Sequence, residues 1–158
     1  MLKNISNTDH ISAIEKNQIQ PNAVDLRIAK LFRLLPTEFY LSNDRKQHRQ
    51  QEEIHPDDNG EFFLEPNQSY QFDCLETVTI PTGYAGWLIA RSTLNRNGVF
   101  ITSGLYDSGF NNIVGGTIHV RAGPAKIVNH TRIAQFIYAE AETVGMYDGD
   151  YNAPSSVN

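Results

Sequence analysis

The residues best suited to chemistry lie together between Ala90 and Asn112, in the stretch ARSTLNRNGVFITSGLYDSGFNN. Arg91 and Arg96 bracket Ser92 and Thr93. A guanidinium is planar, permanently charged, and offers paired donors that match two oxygens of a phosphate. Hydroxyls and nearby backbone N–H groups can donate to the same oxygens. The cluster reads as an anion site, the alternative being a polar helical turn at the surface. A few residues on, Gly104-Leu105-Tyr106-Asp107-Ser108-Gly109-Phe110 sets a lone carboxylate between two glycines at a hairpin. Glycine opens backbone geometry closed to other residues and lets a ligand approach closely. A carboxylate held there can orient and activate a water. The plainer alternative is that Asp107 caps a turn.

The chain that must position these groups has 158 residues, which fits one domain over 1–158, and 40% of them are hydrophobic, enough for one core. The net charge of -5 argues against a general nucleic-acid binder, which needs a basic face. It leaves room for a nucleotide, since a few arginines in one pocket suffice. Cys74 is the one cysteine, so neither an intrachain disulfide nor a cysteine-based zinc site can form. Phe72 and Leu75 beside it mark a buried structural thiol. The start MLKNISNTDH has no apolar signal region, and no run reaches the length of a membrane span. The expectation is a soluble, cytoplasmic protein with no membrane partner, in the host cytoplasm if the source is viral.

Asn7 or Thr8 can cap a short helix through Lys16, with Ile11 and Ile14 on its buried side. After Pro21, Val24, Leu26 and Ile28 alternate with Asp25 and Arg27, a strand signature, and apolar residues continue to Pro36. Residues 41–60 are nearly all polar and read as a solvated loop of mixed charge. His48 and His55 lie in it at a spacing that matches no metal-ligand pattern. From Glu61 onward short strands are broken by turns: Phe62–Leu64, the alternation Tyr70, Phe72, Cys74, then Val78–Ile80, Trp87–Ile89, Val99–Ile101, Thr117–Val120, Ile127–Val128 and Ile133–Tyr138. Many short, evenly spaced strands indicate an all-β barrel or jelly-roll. The tail from Met146 is rich in Asp, Gly, Asn and Ser and reads as mobile without ligand.

These segments resemble, in order, the signatures of the dUTPase/dCTP-deaminase superfamily. RSTLNRNG (91–98) is similar to its RSSLxRxG phosphate motif, and GLYDSGF (104–110) to its GxxDxG-[FYW] motif. PNAVDLR (21–27), FLEPNQSYQFDCLETVTIPTGYAGWL (63–88) and TRIAQFIY (131–138) resemble three further family segments. The likeness runs from about Thr8 to Tyr151. It implies a distorted β-barrel or jelly-roll of the dUTPase-like, β-clip type. It also implies a homotrimer with active sites between subunits, and Mg2+ accompanying a triphosphate. Carried over, Arg91, Ser92, Thr93, Arg96 and Gln135 would contact phosphates, and Asp107 would position the attacking water beside the deoxyribose. Asp25 matches an aspartate associated with the metal-bound phosphate end, and is alternatively a structural residue of a buried strand. Backbone groups around Ile101 to Gly104 would select uracil.

The superfamily runs two reactions, hydrolysis of dUTP at the α-phosphorus and deamination of the cytosine ring of dCTP. Deamination needs a proton-shuttling glutamate on the strand after the glycine–aromatic turn. No Asp or Glu occurs from Ser108 through Ala139, and Thr117 or Arg121 falls at that place. Neither can act as that base. DSGFNNIVGGTIHV is similar without gaps to archaeal-type dUTPases, with Asn112 where a glycine is usual and Gly115 where a glutamate is common. The ending YDGDYNAPSSVN lacks the glycine-rich, Phe-bearing closure of the usual trimeric dUTPase and is closer to the deaminase-like branch. Tyr147 and Tyr151 are candidates to cover the nucleotide, unless the end is simply frayed. The resemblance thus implies a hydrolase that converts dUTP to dUMP and pyrophosphate. The alternatives are a dCTP deaminase, a bifunctional enzyme, or a silent nucleotide sensor on the same fold.

Overall fold

The computed structural model describes residues 2–3 and 10–153. β1 (Leu2–Lys3), β12 (Arg132–Glu140), β2 (Val24–Leu34), β7 (Ser69–Thr79), β10 (Asn111–Val120) and β9 (Val99–Thr102) form the path of one eight-stranded sheet. β5 (Gln51–Ile54) adds to β2, and β8 (Tyr84–Ala90) adds to β12. The pairings along this path are antiparallel. Two small ribbons flank it, β6 (Glu61–Leu64) with β11 (Ala125–Val128), and β3 (Tyr40–Leu41) with β4 (Lys46–Gln47). One short helix, α1 (Ser92–Arg96), follows β8. The β-barrel or jelly-roll class expected from strand spacing is the observed one. No helix among the described residues is long and apolar enough to cross a membrane.

The sheet nearly closes because its two ends meet. After β9 the chain crosses to β8, where Gly86 and Tyr106 exchange backbone hydrogen bonds of 2.9 and 2.8 Å. Gly86 must lack a side chain here, since a Cβ would lie 2.5 Å from the Phe136 ring. Inside, alternation does the packing. On β7, Tyr70, Phe72, Cys74 and Val78 are buried, and they meet Leu26, Ile28 and Leu31 of β2 and Val114 and Ile118 of β10. Burial pushes the Cys74 thiol well above its ordinary pKa, with the charges of Glu76 and Asp73 adding to the rise. A buried, protonated thiol suits the structural part expected of it.

The same alternation buries one charge, Glu76, which is 0% exposed. Its carboxylate accepts from the Arg27 backbone N–H at 3.0 Å, Arg27 Nε at 2.7 Å and Gln18 Nε2 at 2.8 Å. Arg27 then reaches Glu15 at 2.7 Å. A buried carboxylate is tolerable only with such partners.

Two expectations need correction. The helix through Lys16 is absent from 11–15, and the part over 4–9 lies outside the described residues. Ile11 instead bridges Val78, and Ser12 N–H donates to the Thr77 carbonyl at 2.9 Å. Ala13 takes a φ of 54°, which no right-handed helix allows. Ile11 is buried as expected, but along a strand; a short 3-10 turn, Lys16–Gln18, follows. The segment 41–60 is solvated, yet it contains β4 and β5, and β5 pairs with β2 from Leu31↔Ile54 to Leu34↔Gln51. Backbone pairing at a sheet edge needs no apolar side chains, so composition hid it.

Glu76→Ala is expected to lower unfolding stability by about 3–5 kcal/mol, because Arg27 and Gln18 lose a buried partner. Glu76→Gln should cost less, and urea denaturation of both variants checks the order.

Candidate active site

The phosphate motif is built on the end of β8 and on α1. Arg91 precedes the helix in an extended conformation, and its backbone N–H donates to the Ile133 carbonyl at 3.0 Å. Its Nε lies 3.2 Å from Asp25 Oδ2. Arg132 Nη1 lies 3.4 Å from the same oxygen, and Gln135 Nε2 donates to Asp25 Oδ1 at 3.2 Å. The register makes this meeting possible, since β12 sets Gln135 opposite both Asp25 and Ile89. Asp25 is 1% exposed, while Arg91 and Arg132 each keep about a third of their side chains open. A buried anion thus holds two guanidinium groups and one amide with their outer faces toward solvent. Ser92, Thr93 and Arg96 are exposed on α1 beside them. Arg132 was not among the expected residues; its place opposite Arg27 becomes visible only with the β12–β2 register.

Asp25 receives three nitrogen donors on its two oxygens, from two guanidinium cations and one amide. Among the described residues no group of three or more His, Cys, Asp or Glu side chains could hold a metal ion. The donor set therefore fits no resident, protein-only metal centre. A cation bound through one or two carboxylates and mainly through substrate phosphates remains compatible with it.

Asp107 lies elsewhere. β9 pairs with β10 only from Val99↔Val120 to Thr102↔Thr117, then departs toward β8. Ser103 Oγ accepts from the Leu88 N–H at 3.0 Å, Tyr106 bonds Gly86, and Asp107 follows, exposed. The turn beyond is closed by Asp107's backbone carbonyl, which accepts from Phe110 N–H at 3.1 Å, and by Ser108 Oγ, which donates to the Tyr84 carbonyl at 2.7 Å. Gly109 sits at φ 90° and bonds the Ile80 carbonyl. Among the described residues no side-chain hydrogen bond ties the Asp107 carboxylate to this turn. It borders a cleft with Tyr84, Ala85, Leu105 and Tyr147.

Where β9 and β10 part, a cavity of about 660 Å³ opens. Gly104, Thr117, Tyr147 and Tyr151 line it, with Phe110 at one wall. Of the two positions at which a deaminase's glutamate could fall, Thr117 is in this wall, whereas Arg121 is exposed outside it. One carboxylate is nevertheless present. Asp73 of β7 stands opposite Gly115, half-buried, and lines the cavity. Desolvation raises its pKa, the Lys30 charge pulls it down, and Glu53 adds to the rise. The alternation of β7 signals that Asp73 faces outward with Gln71, but only the β7–β10 register brings it here.

The described part of the tail, through Ala153, makes several contacts with the rest of the chain. Tyr147 N–H donates to the Ser108 carbonyl at 2.7 Å, and its ring meets Phe110 edge-on at 5.7 Å. Asn112 Nδ2 donates to the Tyr151 carbonyl, Asn152 takes the Asn111 N–H, and Lys46 of β4 pairs with Asp150. Residues 147–152 therefore lie along the cavity rim.

Residues 2–141 match the model of the dCTP deaminase-like family. The chain belongs to this family. It is 34% identical over 143 residues to the probable deoxyuridine 5'-triphosphate nucleotidohydrolase of Methanopyrus kandleri, covering 87% of this chain and 90% of that protein. It is 32% identical over 136 residues to the dUMP-forming dCTP deaminase of Persephonella marina, covering 84% of this chain and 75% of that one. Among solved structures, its fold is similar to 2'-deoxycytidine 5'-triphosphate deaminase from Agrobacterium tumefaciens, with a TM-score of 0.65 at 15% identity over 84% of this chain and 44% of that one. It is also similar to the D95N dUTPase of phage phi11 of S. aureus, described with a structural Mg(II) ion, with a TM-score of 0.56 at 16% identity and 95% of both chains covered. The relatives of this chain thus carry names for both chemistries, dUTP nucleotidohydrolase and dCTP deaminase.

Asp73 gives a test of the cavity's desolvation. Its folded pKa is raised, so its contribution to stability is best below the unfolded carboxylate pKa and is lost as pH rises through the folded value. Asp73→Asn is expected to be more stable than the native chain at about pH 7 and to lose that advantage near about pH 3. Urea midpoints at the two pH values check the sign.

Proposed function

We propose that the protein is a dUTP diphosphatase, hydrolysing dUTP to dUMP and pyrophosphate. The observation that carries the reading is Thr117, a hydroxyl in the cavity wall where a deaminase needs a proton-shuttling carboxylate. The dUTP nucleotidohydrolase names of archaeal relatives from Methanopyrus kandleri and Halobacterium salinarum support it. In the reaction, Asp107 accepts a proton from a water that attacks the α-phosphorus. A new P–O bond forms, the bond from the α-phosphorus to the bridging oxygen breaks, and the electron pair leaves with pyrophosphate. Arg91 and Arg96, with Ser92, Thr93 and Gln135, bind and orient the phosphates and balance their charge. Mg2+, carried with the triphosphate, would supply further charge neutralisation there. Asp25 serves this set by holding Arg91 and Arg132 in place. Gly104 and its neighbours meet the base, and Tyr147 and Tyr151 cover the nucleotide.

The site is completed between copies of the chain. Tyr106, next to Asp107, is paired with Gly86, while Arg91 lies five residues further along extended chain, about 17 Å away. Arg91 is also turned toward Asp25 and the Arg132 carbonyl. This separation, with Arg91 turned toward Asp25, supports a site in which the phosphate set of one copy faces the Asp107 cleft of another. A homotrimer with three such sites is the assembly this reading adopts. The nucleotide substrate and the net charge of -5 agree with a cytoplasmic enzyme that binds no nucleic acid.

A second reading, deamination of dCTP, has Asp73 in its favour, since it supplies a carboxylate from the neighbouring strand. Incubation with dUTP and with dCTP, with Mg2+, separates the two. The expected result is dUMP and pyrophosphate from dUTP, and no ammonia from dCTP; ammonia release would overturn the hydrolase-only reading.

Asp107→Asn keeps shape but loses the base, so turnover of dUTP should fall at least about a hundredfold with KM little changed. Arg96→Ala should instead raise KM, because it removes a charge-assisted contact. Steady-state kinetics on both variants tell the two roles apart. If Asp107→Asn turns over near the native rate, Asp107 is a turn residue. Light scattering should give three times the mass of one chain, and a monomer under assay conditions would contradict the shared site.

A further inference from the structure

We propose that the Tyr106 hydroxyl is a brace that fixes the width of the base pocket and thereby sets discrimination at the pyrimidine ring. The inference rests on the dUTP reading above and concerns a side chain that the mechanism does not use. Tyr106 Oη donates to the Gly115 carbonyl at 2.6 Å and accepts from the Gly115 N–H at 3.0 Å. Gly115 is paired on its other side with Asp73 of β7. On the side facing Tyr106, β9 has already left, because its pairing with β10 ends at Thr102↔Thr117. One phenol therefore does what an absent strand residue would do, satisfying one donor and one acceptor of exposed sheet backbone.

The brace is held at both ends. Tyr106's own backbone is locked to Gly86 by two hydrogen bonds, and its ring packs edge-on to Phe110 at 4.8 Å and against Phe136 at 5.7 Å. Burial keeps the phenol protonated, with its pKa pushed up to about 12, so it stays a donor at any working pH. Gly115 must be glycine for this geometry, since a Cβ would lie 2.2 Å from the Phe72 carbonyl and displace β10 from β7. The cavity walls Thr102–Tyr106 and Gly115–Thr117 are thus tied at two points, the Thr102–Thr117 rung and the Tyr106–Gly115 pair. Between two fixed points the gap can neither widen for a larger ring nor shut. A group such as the C5-methyl of thymine is excluded by that fixed width.

Tyr106→Phe removes one atom and retains the ring packing. A methyl group in a fitted pocket is typically worth about 10–200-fold in kcat/KM. The variant is expected to melt within a few degrees of the native protein while its dUTP-over-dTTP preference in kcat/KM falls by roughly tenfold or more. Amide hydrogen exchange at Gly115 should rise in parallel, because its N–H loses its partner. A merely structural role predicts a different result, with activity on both nucleotides falling together and the ratio kept; that result overturns the inference. Unchanged exchange at Gly115 overturns it as well, whatever the kinetics. If the native protein leaves dUTP untouched, the dUTP reading itself fails and takes the inference with it.

Discussion

The two backbone hydrogen bonds between Gly86 and Tyr106 turn an open sheet into a nearly closed one, and the candidate site depends on that closure. Without it β8 and the segment after β9 would be free edges, with unpaired donors and acceptors of the kind that invite wrong pairing. With it, the chain passing from β9 to the glycine turn is pinned in mid-course. Asp107 then stands one residue beyond a fixed point, and the parting of β9 from β10 becomes a permanent opening. The closure needs one residue without a side chain, because Phe136 packs where a Cβ on Gly86 would be. Core packing and presentation of the carboxylate are therefore one constraint.

Charge is arranged by a second device, used twice. A triphosphate must be met by cations, yet the chain as a whole is acidic. Asp25 and Glu76 each sit in the interior and each grips arginine, Arg91 and Arg132 in one case and Arg27 in the other. A buried ion pair of this sort adds little net stability over a hydrophobic replacement, so its value lies in fixing geometry. On the proposed reading, an arginine held by a buried anion would lose less side-chain freedom on meeting phosphate. The Asp25 network faces the surface beside α1, where orientation matters for ligand, while the Glu76 network ties the N-terminal segment to β2 and β7.

Much of this was legible in the residues, and the illegible part has a common cause. Tyr70, Phe72, Cys74 and Val78 alternate because one face of β7 is buried, so period two predicted both strand and core. Two arginines around Ser92 and Thr93, and one acid between glycines, could be read as a site because the chemistry lies within a short stretch. Asp73, Arg132 and the Tyr106 hydroxyl could not, since their parts depend on which strand lies beside which and in what register. β5 was hidden for a related reason: an edge strand bonds through its backbone and carries polar side chains on both faces. Ile11 and Ile14 were spaced for a helix, but bridging to Val78 buries Ile11 as well, and local spacing cannot weigh a partner 67 positions away.

The same register explains why β8 is both the scaffold and the divider of the site. It touches both candidate segments, presenting Arg91 after its last residue and meeting Tyr106 near its first. An extended strand is rigid along its length, so the separation of the two groups cannot be closed by bending β8. The tail does not close it either, because Tyr147 through Asn152 are bonded along the Asp107 end, to Ser108, Gly109 and Asn111. On the proposed trimeric reading, rotation about a threefold axis would bring the Arg91 end of one copy to the Asp107 end of another. On that reading the two groups, set apart along one strand, would meet only at an interface between copies. Substitutions that weaken assembly would then act on the same step as substitutions that weaken catalysis.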